Sequence, residues 1–277
     1  MADVFSVIHI SDPHFHRLPK KASQWFSKRA FGALNMVVRR ARFYPIARAR
    51  RLVEMVDGLD WQHLVITGDL TQLALEEEFE LARATLAPLL ERGPEHVTVL
   101  PGNHDRYVAP SEREMGFDAF FGPFFGGGEI RTVQLTEAWG LAGWDSARPT
   151  RSLSAAGRVK NETLAATAAW LDQLTPRTRV IVANHYPLYF DAPDRYRAGH
   201  ELEQIEQVRH WLAEKKIDLY LHGHLHRNWV LQTRHGGHGC THVNSASSTQ
   251  TPQRGGSAFH RIELDGADFR VLPLALD

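Results

Sequence analysis

Phe5-Ser-Val-Ile-His-Ile-Ser-Asp12-Pro-His14 joins an apolar run to two metal-competent side chains, and the same construction recurs along the chain. Residues 5–10 read as a buried strand that delivers Asp12 from its C-terminal end. Residues 63–67 likewise feed Gly68-Asp69, and residues 97–100 feed Gly102-Asn103-His104-Asp105. Residues 179–183 lead to His185, and residues 217–221 lead to Gly223-His224-Leu225-His226. Parallel strands bring their C-terminal ends to one edge of a sheet, so five such ends can gather ligands far apart in sequence. The pattern predicts an α/β fold with its site at a sheet rim.

Helices fill the intervals. Residues 76–90 set Phe79, Ala82, Leu86, Leu89 and Leu90 at helical spacing. Asn161 is placed to cap a helix carrying Leu164, Trp170, Leu171 and Leu174, and residues 201–214 form another. After His226 the pattern shortens to alternating runs at 229–233, 242–245, 258–264 and 269–274, read as antiparallel strands. Gly126-Gly127-Gly128 and residues 245–256 read as flexible loops.

The chain has 277 residues, 43% hydrophobic and 23% charged, enough to bury a large core without an apolar run of membrane-spanning length. It is read as a single domain over residues 1–277. Cys240 is the only cysteine, which excludes an intramolecular disulfide and suits a small buried side chain better than a nucleophile. The opening Met-Ala-Asp lacks the basic head and apolar core of a signal peptide, so the expected location is the cytoplasm.

Each ligand cluster alone is weak, since Asp12 before Pro13 also suits a turn and a lone histidine such as His185 usually serves structure. Their order carries the signal. Carboxylates, imidazoles and one amide suit first-row divalent metals, whereas a structural zinc site favours thiolates. The series D-x-H, G-D, G-N-H-D, H and G-H-x-H, from Asp12 to His226, resembles that of the calcineurin-like metallophosphoesterases. The resemblance implies a four-layer α-β-β-α sandwich with a dinuclear metal site at the rim. It implies that Asp69 bridges two ions, one oxygen to each. Asp12, His14 and His226 complete one site; Asn103, His185 and His224 complete the other. Manganese is the expected metal, with iron, zinc and cobalt compatible. Held about 3.5–4 Å apart, two such ions activate water and neutralise phosphoryl charge. His104 is the implied general acid, with Asp105 holding its imidazole in the productive tautomer. The other eleven histidines match no ligand position and are expected at the surface or in structural roles, with His16 and His222 closest to the motifs.

Lys and Arg number 32, as do Asp and Glu, yet residues 13–53 hold eleven Lys or Arg and no acid. Trp25, Phe26, Ala30, Ala33, Leu34, Val37 and Val38 recur within this block at near-helical spacing. Residues 17–53 therefore read as a basic amphipathic helical insert beside the active site, with Pro45 starting a second helix through Val53 and Val56. Its apolar face either packs on the protein's own core as a lid or engages an anionic membrane surface or an acylated substrate, and the two uses are compatible. Trp25, Phe26, Arg39 and Arg40 are the candidate substrate-binding residues. Such an insert is similar to what is expected of the calcineurin-like UDP-2,3-diacylglucosamine hydrolases of lipid A synthesis. That likeness implies a phosphodiester or pyrophosphate hydrolase acting on a lipid-linked phosphate, peripheral to the inner membrane face. The alternatives are a soluble cyclic-nucleotide or glycerophosphodiester phosphodiesterase and a non-catalytic scaffold. A scaffold has no physical need for eight metal-competent residues in register. Nucleic acid is disfavoured, because tracking a strand needs a longer groove than this block specifies.

Overall fold

A computed structural model describes residues 4–18, 41–106, 116–149, 154–190, 199–235, 237–245, 247–252 and 257–276. Trp25, Phe26, Arg39 and Arg40, with the predicted amphipathic helix that carries them, lie outside the described residues.

Two sheets form the centre. The first has the order β11-β10-β1-β2-β3, with β1 (Phe5–Ile10), β2 (His63–Ile66) and β3 (Val97–Val99) parallel. Strands β10 (Ser257–Asp265) and β11 (Asp268–Leu276) extend it antiparallel beyond β1. The second has the order β4-β5-β6-β7-β9-β8. Here β5 (Trp139–Trp144), β6 (Arg179–Ala183), β7 (Leu219–His222) and β9 (His238–Asn244) are parallel neighbours. Strands β4 (Ile130–Thr136) and β8 (Trp229–His235) run antiparallel at its two edges.

Alternation along β6 shows why the layers stack as they do. Ile181 and Ala183 join the core shared with β1 and β2, whereas Val180 and Val182 join a second core with Leu164 and Leu212. Both faces of the strand are therefore buried, the usual state of a parallel sheet covered by helices. Helices α1 (Ile46–Asp57), α2 (Glu76–Leu90) and α3 (Phe117–Phe125) pack with the first sheet. Helices α4 (Asn161–Leu171) and α5 (Ile205–Glu214) cover the second, completing the α-β-β-α sandwich.

Several expectations change. Lys160 occupies the cap position of α4, Asn161 is its first helical residue, and no side chain caps the end. Helix α5 begins at Ile205, because Leu202 is drawn into a bridge with Gly157. The strands after His226 divide between the two sheets, and β9 pairs with β7 in parallel. Within the stretch 245–256 read as a flexible loop, the described Ser245, Ser247, Ser248, Thr249 and Gln250 are all buried. Among the described residues no helix is long and apolar enough to cross a membrane.

Candidate metal centre

Strands β1, β2, β3, β6 and β7 end at one rim, and the backbone there is strained where ligands are presented. Seven non-glycine residues among those described have left-handed φ, and five are Asp12 (52°), His14 (50°), Asp69 (52°), His224 (72°) and His226 (51°). Each such residue costs on the order of 1–2 kcal/mol, so surrounding bonds must hold it there. The Asp12 loop is pinned to the Asp69 loop by Asp12 N to Gly68 O at 3.0 Å, His14 N to Asp69 O at 3.0 Å and Phe15 N to Leu70 O at 2.7 Å. From the other side Ser248 Oγ accepts Ser11 N, Ser247 Oγ donates to Asp12 O, and Thr249 Oγ1 donates to Pro13 O. These hydroxyls escaped the sequence reading, because a Ser-Thr run resembles a solvated loop.

Two donor sets share Asp69. Asp12, His14, Asp69 and His226 form one, and Asp69, His185 and His224 the other, with the donor atoms of each set within 4.8 Å of one another. Asn103 Oδ1 joins the second set, 3.1 Å from His185 Nε2. His14 Nε2 and His226 Nε2 are 2.9 Å apart, and His185 Nε2 and His224 Nδ1 are 3.1 Å apart. Ligands at right angles, each about 2.1 Å from one cation, stand about 3.0 Å from each other. Asp12 Oδ1 is buried without a hydrogen-bond partner, 3.2 Å from His226 Nε2 and 3.8 Å from His14 Nε2. The residues thus fit two divalent ions. Asp69 Oδ1 accepts His104 N at 2.8 Å, and Oδ2 lies between the sets, 3.8 Å from His14 Nε2 and 3.5 Å from His185 Nε2.

The ring nitrogens turned away from the donor sets have partners that select the tautomer. His14 Nδ1 meets Thr71 O at 3.3 Å, His185 Nδ1 meets Thr67 O at 2.7 Å, and His224 Nε2 meets His200 O at 2.8 Å. A carbonyl only accepts, so each of these nitrogens carries the proton and the opposite lone pair faces inward. His226 Nδ1 differs in meeting the Tyr44 hydroxyl, at 2.9 Å. Burial lowers the pKa of His185 and His224, keeping both neutral as ligands must be.

His104 stands beside the first set, its ring edge-on to His14 with centroids 5.1 Å apart. Its Nδ1 bonds to Gln72 O at 2.6 Å. Asp105 does not orient that ring, contrary to expectation. Its carboxylate accepts Leu70 N, Thr71 N, Thr71 Oγ1 and Gly102 N, clamping the Asp69 loop to the Asn103 loop. Close approach there also fixes two glycines. A Cβ on Gly102 would lie 2.2 Å from Asp69 Oδ1, and one on Gly223 would lie 1.9 Å from Ser11 Oγ. Asp12, His14, Asp69 and His185 are buried, while His104, His224 and His226 are partly exposed, so the centre opens on that side. Of the remaining histidines, His9, His63, His222, His242 and His260 are buried in the core, and His200 contributes its carbonyl to the site.

This fold and site define a metal-dependent phosphoester hydrolase. The chain belongs to the calcineurin-like phosphoesterase family, whose model matches residues 5–228. Solved structures share the fold at low identity. The Thermus thermophilus protein TT1561 is 12% identical, with TM-score 0.50 over 98% of this chain and 99% of that one. Phosphopantetheinyl hydrolase from Mycobacterium tuberculosis is 14% identical, with TM-score 0.50 over 91% of each chain. The Thermus thermophilus sulfate thiohydrolase SoxB is 16% identical, with TM-score 0.50 over 98% of this chain and 56% of that one. No curated protein matches the chain by sequence.

Proposed function

We propose that the chain hydrolyses a phosphodiester or pyrophosphate bond in a lipid-linked phosphate, such as UDP-2,3-diacylglucosamine, at the cytoplasmic membrane face. The observation that carries the reading is the attachment of the basic insert at both of its described ends. Arg17 N donates to Glu78 Oε1 at 3.1 Å, three residues after His14, and Tyr44 bonds His226 at 2.9 Å. Trp25, Phe26, Arg39 and Arg40 lie in sequence between these two attachments. Each basic residue near an anionic surface is worth about 1 kcal/mol, and the aromatic residues supply apolar area for acyl chains.

Asp12, His14, Asp69 and His226 would hold one ion, and Asp69, Asn103, His185 and His224 the other. Bound there, two divalent ions supply Lewis acidity to the phosphoryl oxygens and lower the pKa of water. His104 then donates a proton from Nε2 to the leaving oxygen, while Gln72 O holds Nδ1–H and steadies the imidazolium.

The test is a hydrolysis panel of bis-p-nitrophenyl phosphate, cyclic AMP and an acylated nucleotide-diphosphate sugar with added manganese. The acylated substrate is expected to be preferred. Trp25→Ser with Phe26→Ser, or Arg39→Glu with Arg40→Glu, should weaken its turnover and binding to anionic vesicles while sparing the small esters. Preference for cyclic AMP, or equal losses on every substrate, would replace this reading with the soluble phosphodiesterase.

A further inference from the structure

We propose that Tyr44 is a positioning residue of the metal centre, through which the basic insert sets the cation affinity of the Asp12–His14–His226 site. The inference rests on the metal-ligand assignment made above. A neutral imidazole carries one proton, so directing the His226 Nε2 lone pair inward places the hydrogen on Nδ1. That N–H needs an acceptor, and Tyr44 Oη lies 2.9 Å away. The other three ligand imidazoles find backbone carbonyls of Thr71, Thr67 and His200. His226 alone among the four relies on a side chain, and that side chain comes from the insert.

The geometry of Tyr44 suits this task. Its residue is 8% exposed and its ring packs against His14, with centroids 4.8 Å apart, so the hydroxyl has a fixed place. The backbone around it is tied down on both sides. Thr251 N donates to Phe43 O at 2.9 Å, and Pro45 caps α1, which Arg48 anchors to Ser257 Oγ and the Leu276 carbonyl. The His226 side chain is 27% exposed, against 0% for His14 and His185, so it has more room to turn. Losing the acceptor lets water compete for Nδ1–H and frees the ring. The Tyr44 hydroxyl bond to His226 and its ring contact with His14 both fall on the first donor set. The effect should therefore fall on one site of the pair.

The experiment uses the full chain stripped of metal and titrated with Mn2+ alone, following free Mn2+ by its six-line electron paramagnetic resonance signal. Tyr44→Phe keeps the ring against His14 and removes only the hydroxyl. One of the two Mn2+ sites is expected to weaken about 10–100-fold, the scale of partners that orient a ligand, with the other unchanged. The thermal midpoint of the metal-free variant should match the wild type. Two sites of wild-type affinity in the variant would overturn the inference while leaving the ligand assignment intact. Equal weakening of both sites, or a lowered metal-free midpoint, would overturn it by making the hydroxyl a general support of the fold. Wild-type protein that takes up fewer than two ions would overturn the ligand assignment itself, and the inference with it.

Discussion

His14 Nε2 and His226 Nε2 face each other at 2.9 Å across 212 residues of sequence, beside an Asp12 oxygen that no donor satisfies. Two lone pairs and a carboxylate oxygen aimed at one point repel unless a cation or a proton lies between them. A divalent cation would satisfy all three, and the rim holds left-handed backbone at five of the residues concerned. Packing elsewhere holds the arrangement ready.

His104→Ala should retain both metals, because its imidazole belongs to neither donor set. Rates should fall about 10²–10⁴-fold on substrates with poor alkoxide leaving groups and much less on p-nitrophenyl esters, the signature of a lost general acid. Equal losses on both substrate types would show that the imidazole only positions the phosphate.

Gly223→Ala should abolish metal uptake more completely than it lowers stability. Its Cβ would stand 1.9 Å from Ser11 Oγ and 2.2 Å from Asp12 Oδ2, so the Asp12 loop has to move. Metal content and a denaturant melt of the variant check this. Full metal occupancy would mean that the loop yields without losing its ligand geometry.

Two core histidines outside the donor sets give a pH dependence. Burial, and for His63 the Arg131 charge as well, lowers the pKa from 6.5 to about 3 for His63 and about 4 for His260. Above pH 6.5 both are neutral whether folded or unfolded and contribute nothing. As pH falls from 6.5 toward 4 the unfolded chain takes up protons that the folded chain refuses, and stability drops. The slope is at most about 1.4 kcal/mol per pH unit for each histidine. Burial pushes the Glu78 carboxyl up to about 8, which shifts stability in the opposite sense over this range. The readout is therefore the stability difference, by denaturant unfolding, between metal-free wild type and His63→Gln, expected to move in favour of the variant as pH falls from 7.5 to 5. A difference that does not change with pH would contradict a buried neutral His63.

The ligands were legible because metal chemistry restricts both residue type and order, and each follows an apolar run of strand length. Residues that act through backbone or hydroxyl groups carry no such mark. Ser247, Ser248 and Thr249 look like loop residues, and Tyr44 looks like one aromatic side chain among several in a basic block. Strand β5 escaped for another reason: its Trp-Gly-Leu-Ala-Gly-Trp sequence holds two glycines, which weaken a strand pattern. The fold needs one of them, since a Cβ on Gly140 would lie 2.8 Å from the Trp170 ring. Asp105 was misassigned through adjacency to His104. Its side chain points to the amides of the Asp69 loop, and the true partner, Gln72 O, lies 32 residues away.

The central claim is that two divalent ions per chain, held by two donor sets sharing Asp69, carry the activity. Elemental analysis of active protein, beside Asp69→Ala and Asn103→Ala variants with wild-type circular dichroism, tests it most directly. The account predicts two ions per active wild-type chain, and loss of metal and activity together in both variants. Full activity in wild-type protein holding one ion or none would contradict it.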